Sequence, residues 1–132
     1  MTTLEPKVRQ TIEGRLDRIV ELAEKCVEDT KIAKSESGME ESQLHNLRNL
    51  ANVTDSVKAL ENFICYQMGR HKEWQHNGFG DQILRDLEQL EDLAREIARG
   101  SNTPQRAVHL ELIRMYTGFL YRSFVAKRPR SS

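Results

Sequence analysis

The chain has 132 residues, 38% of them hydrophobic and 30% charged, and its 20 basic and 20 acidic side chains cancel. That length holds one domain with a modest core. No apolar run approaches the roughly 20 residues that cross a bilayer, and the opening MTTLEPKVRQ lacks the apolar stretch of a secretory signal. Two cysteines, Cys26 and Cys65, are too few for a disulfide framework, so the expected state is reduced and the expected compartment is the cytoplasm.

Helical spacing of apolar residues runs along the whole chain. Pro6 suits a first turn, and Val8, Ile12, Ile19, Ala23 and Cys26 form one stripe that fades at Lys34, widened by Leu16, Val20 and Leu22. Ser35-Glu36-Ser37-Gly38 reads as a loop. A second helix starts near Glu40 with Leu44, Leu47, Leu50 and Ala51, and Asn52 interrupts it. Thr54 or Asp55 is the expected N-cap of a third helix, which carries Val57, Leu60, Ile64 and Met68 and ends near Gly69-Arg70-His71-Lys72. Asn77-Gly78-Phe79-Gly80 reads as a loop, with Asp81 opening a fourth helix over Ile83, Leu87, Leu90, Ala94 and Ile97. Pro104 opens the fifth, with Val108, Leu112, Ile113, Tyr116, Phe119, Leu120 and Phe124. The expectation is an all-α fold, a single-domain bundle of about five helices spanning residues 1–132, with a short mobile tail at residues 128–132.

Charge is segregated along this layout. Residues 1–44 carry 7 Lys/Arg and 10 Asp/Glu, residues 45–72 carry 4 and 2, residues 73–99 carry 3 and 7, and residues 100–132 carry 6 and 1. The overall cancellation argues against long-range attraction to bulk nucleic acid, while the blocks allow one basic face.

Little in the sequence points to catalysis. There is no CxxC, HxxxH or HExxH, so neither a metal nor a cofactor is expected. Cys26 and Cys65 fall on apolar stripes and read as buried. Asp86, Glu88, Glu91 and Asp92 read as solubilising charges on an exposed face. Arg70-His71-Lys72-Glu73-Trp74-Gln75-His76 fits the R-x(4–6)-H pattern of the HEPN ribonucleases. That resemblance would make Arg70 a stabiliser of the phosphorane and His76 a general acid or base.

A second resemblance rests on several pieces in order. Glu41-Ser42-Gln43-Leu44-His45-Asn46-Leu47 is similar to an S-Q-[IL]-R-[KN]-[FL] segment, Tyr66-Gln67-Met68-Gly69-Arg70 to Y-Q-x-G-R, and Arg122-Ser123-Phe124-Val125-Ala126-Lys127 to a closing V-A-Y-x-K-like run. Over roughly residues 35–127 the chain thus resembles the small subunit of type III-A CRISPR effector (Csm) complexes. His45 stands where that family usually has arginine. The resemblance implies a helical subunit with no active site. Its partners would be crRNA and target RNA, other effector-complex subunits and neighbouring copies of itself, and no membrane.

The residues fit such a role by their own chemistry, because holding a nucleic-acid backbone needs cations and amides along one surface. Gln43, His45 and Arg48 share a helix face opposite Leu44 and Leu47. Arg70 and Lys72 gather at the next helix end, and Arg122, Lys127 and Arg128 at the last. These eight are the candidate RNA-binding residues, and Trp74 and Phe79 are the aromatics expected to be exposed for stacking. A helical protein–protein adaptor that never meets nucleic acid is the remaining alternative.

Overall fold

The computed structural model describes residues 4–129. Among them are six α-helices and no strand: α1 (Pro6–Glu13), α2 (Leu16–Thr30), α3 (Glu41–Val53), α4 (Val57–Arg70), α5 (Phe79–Ala98) and α6 (Gln105–Lys127). Short 3-10 turns occupy Ser35–Ser37 and Lys72–Gly78. No helix among the described residues is long and apolar enough to cross a membrane.

The additional helix comes from a break in the expected first one. The Gly14 N–H still reaches back four residues to the Gln10 carbonyl, but Arg15 leaves the helical region at φ −113°, ψ 7° and bonds Ile12 instead. Glycine weakens the helix at that point, and Arg15 swings out to pair with Glu96 at 2.8 Å. The apolar stripe survives the kink, because Val8 and Ile12 on α1 and Ile19, Ala23 and Cys26 on α2 are all buried.

Polar caps start α3 and α4. Glu40 and Gln43 form a capping box at the start of α3. That helix runs past Asn52 to Val53, and the N-cap of α4 is Ser56, which accepts the Ala59 N–H at 3.0 Å. Thr54, one of the two expected caps, instead accepts the Ser56 N–H at 3.1 Å. Of the expected mobile tail, Arg128 and Pro129 are described and Arg130, Ser131 and Ser132 lie outside the described residues.

The longest helix, α6, packs against α2, α3 and α5. Its buried residues (Val108, Leu112, Ile113, Tyr116, Leu120 and Phe124 among them) face several directions, as a central helix requires. Two polar groups lie inside this packing. His109 Nε2 is 2.9 Å from the Leu87 carbonyl, and Asp86 is bonded by Tyr116 and Gln82. Asp86, read from the sequence as an exposed charge, is only 1% exposed. Cys65 departs in the opposite sense. It is exposed on α4, because Ile64 and Gln67 are the residues that turn inward there.

Trp74 and Phe79 are both fully buried, against the expectation of exposed stacking rings. The segment after α4 coils as a 3-10 turn rather than an open loop, and this tucks Trp74 between Phe63 and Phe79 at ring separations of 6.3 and 5.7 Å. Asn77, at φ 48°, fastens the segment to the end of α2 by donating to the Thr30 carbonyl at 3.0 Å. Among the described residues the Trp74 indole N–H has no protein partner.

Candidate nucleic-acid interface

The candidate residues divide into three groups. On the α3–α6 face, the ring of Tyr121 lies 5.5 Å from that of His45 and 5.6 Å below the Arg48 guanidinium. Arg122 lies over Phe119 at 6.0 Å and Arg128 over Phe124 at 5.4 Å. Each pairing rests a flat cation on an aromatic surface, which orients the guanidinium without discharging it.

Carboxylates use up part of this face. Glu41 accepts a hydrogen bond from Arg128 at 3.0 Å and another from the Tyr121 hydroxyl at 2.7 Å. The second bond, helped by the carboxylate's charge, raises the hydroxyl above its ordinary value. Lys127 turns to α2 and meets Glu28 at 3.5 Å. Gln43, expected beside His45 and Arg48, is turned away from them: its Oε1 accepts the Glu40 N–H at 3.1 Å and its Nε2 donates to Glu73 in the turn after α4 at 2.9 Å. Among the described residues, Arg48 and Arg122 have no carboxylate within 4 Å.

Arg70 and Lys72 form the second group, at the end of α4. Arg70 donates to the Tyr66 hydroxyl at 3.1 Å and lies over that ring at 5.9 Å. Lys72 is exposed one residue before Glu73. The bond from Gln43 to Glu73 links this end to the start of α3, but among the described residues no hydrogen bond or ion pair joins Arg70 to Arg48 or Arg122. His76 lies 3.4 Å from Asn77 and Arg70 donates to Tyr66, and among the described residues no hydrogen bond joins His76 to Arg70. Lys127 stands apart as the third group.

Between α3 and α6 runs an open groove of about 210 Å³. Arg48 and Asn52 line it from α3, and Arg114, Gly118 and Arg122 from α6, with Met115 and Phe119 as apolar walls. Arg114 is held by the end of α3, donating from Nε to the Ala51 carbonyl at 2.9 Å and from Nη2 to the Thr54 carbonyl at 3.0 Å. Asp55 at 3.4 Å and Glu111 at 3.8 Å offset its charge. Sequence reasoning overlooked Asn52, Arg114 and Gly118. The signal for the last two was present, because Arg114, Gly118 and Arg122 recur every four residues and so share a ridge of α6. Gly118 itself costs that helix about 0.5–1 kcal/mol relative to alanine.

Among the described residues, no three His, Cys, Asp or Glu side chains are grouped to hold a metal ion. The chain matches no family model, no curated protein and no solved structure. The reading of this face therefore stands on its chemistry: uncompensated arginines beside aromatic rings and an amide can grip phosphate and ribose, and supply no nucleophile.

Proposed function

We propose that this chain is a non-catalytic small subunit of a type III CRISPR RNA-guided interference complex. In this role it holds the backbone of crRNA or target RNA on its α3–α6 face and packs against backbone subunits and copies of itself. The observation that carries the reading is the pair Arg48 and Arg122, which line one groove with no carboxylate partner among the described residues. Exposed Val53, Tyr66 and Val125 supply apolar surface for neighbouring subunits. The resemblance of the Ser42–Leu47, Tyr66–Arg70 and Arg122–Lys127 segments to the Csm small subunit names the kind of assembly.

Neutralising a phosphate releases counterions, so affinity for a single strand falls with salt by about 0.7 logarithmic units per contact. Replacing Arg48 and Arg122 together by alanine is expected to weaken RNA retention and flatten that slope by about 1.4. An unchanged slope would overturn the proposal. Metal-independent RNA cleavage lost on His76→Ala would replace it with the ribonuclease reading. That reading has no contact between Arg70 and His76 in its favour.

A further inference from the structure

Gly118 has a place in α6 that the fold itself does not call for. Its backbone is ordinary helix, unlike Gly38, Gly78 and Gly100, whose φ values are positive. A Cβ built on it meets nothing within 4 Å. Neither turn geometry nor internal packing needs glycine there, and alanine would form a better helix. What the missing side chain does is lower the floor of the α3–α6 groove. Arg114 stands one turn before it and Arg122 one turn after, and Arg48 and Asn52 line the groove from the other helix.

Glycine is the residue that lets a ligand approach a helix backbone closely. The groove's volume of about 210 Å³ is several times the ~30 Å³ share of one water, which is room enough for a phosphate group. Its lining contains three guanidiniums and an amide and no carboxylate. A second protein helix seated there would bury Arg48 and Arg122, the two without a carboxylate partner among the described residues, and leave both uncompensated, which is costly. A phosphodiester supplies the charge they lack and matches their planar fork.

We propose that Gly118 is the seat of one phosphodiester of a single-stranded RNA, gripped from either side by Arg48 and Arg122. Asn52 donates to the same group, and the apolar face of Phe119 lies against the adjoining ribose. Arg114, fixed to the end of α3 and offset by Asp55 and Glu111, keeps the two helices together beside the seat. The inference rests on the RNA-holding reading and adds where the strand makes its closest approach.

The test uses the full chain, a fluorescein-labelled oligouridylate at low salt, and thermal unfolding of each variant. Gly118→Ala is expected to raise Tm by a few degrees while weakening RNA binding several-fold. Gly118→Leu, which fills the groove, is expected to raise Kd by about tenfold, or 1.4 kcal/mol. If both glycine variants bind RNA as the wild type does while the Arg48→Ala, Arg122→Ala double variant binds weakly, the seat is wrong and the RNA reading stands. If the double variant also binds as the wild type does, both fall. A lowered Tm for Gly118→Ala would give the glycine a structural cause and overturn the seat. So would Gly118→Leu disrupting association with a protein partner at unchanged RNA affinity.

Discussion

Tyr116 and Asp86, thirty residues apart in the chain, share a 2.5 Å hydrogen bond in the core, the phenol donating to Oδ2. Gln82 donates to the other carboxylate oxygen at 2.9 Å. Burial pushes the Asp86 carboxyl up, and these two donors offset only part of that. The Tyr116 hydroxyl is pushed well up too, first by its own burial.

The folded state therefore holds the Asp86 proton more tightly than the unfolded chain does. Its contribution to stability is fully present below the ordinary value of 3.8 and is lost as pH rises through the higher folded-state value. Asp86→Asn removes the titration while keeping an acceptor for Tyr116. In urea unfolding, the stability of Asp86→Asn relative to the wild type should rise with pH across that window, at up to about 1.4 kcal/mol per unit. A pH-independent difference between the two would contradict the assignment.

Arg114 closes the end of α3 with two carbonyl contacts, at Ala51 and Thr54. Hydrogen bonds to a charged group contribute about 1.5–3 kcal/mol, so Arg114→Ala is expected to destabilise the domain by about that amount in denaturant titrations. Arg114→Lys should recover little of the loss, because an ammonium cannot present the same planar fork.

Gly80 contrasts with Gly118. A Cβ on it would overlap the Met68 thioether and press within 3.0 Å of the Trp74 carbonyl. Gly80→Ala forces Met68 and the aromatic cluster around Trp74 apart, at an expected cost of about 1–3 kcal/mol. Calorimetry showing no loss would mean that Met68 moves freely, and that the packing there is looser than its burial implies.

Glu41 restrains Arg128 at 3.0 Å. Glu41→Gln keeps an acceptor for Tyr121, removes the charge and frees Arg128 for phosphate. RNA affinity is expected to rise a few-fold and its salt slope to steepen by about 0.7. Weaker binding by this variant in anisotropy titrations would argue that Glu41 organises the face rather than masking it.

The elements were legible because each inner stripe is a local property of the chain. Ile83, Leu87, Leu90, Ala94 and Ile97 are all buried along α5 as their spacing requires. The kink at Gly14 was not legible, since Ile12 and Ile19 stay seven residues apart whether or not the helix is continuous. The candidate face was only half legible for a related reason. Composition marks Arg48 and Arg122 as cations, but whether a cation is spent depends on partners far away in sequence. Arg128 meets Glu41 across 87 residues and Lys127 meets Glu28 across 99. Asp86 misled by its charge rather than its spacing: it lies three residues after Ile83 and four before Leu90, on the inner stripe, where Tyr116 bonds it from another helix.

Because α6 lies later in the chain than α2, α3 and α5 and packs against all three, nothing made before Gln105 can finish the core. A ribosome that stalls short of this segment releases a product whose sticky stripes remain uncovered, open to chaperones and proteases. The core thus closes only when α6 docks, and a chain cut ahead of Gln105 keeps three apolar stripes without their common cover.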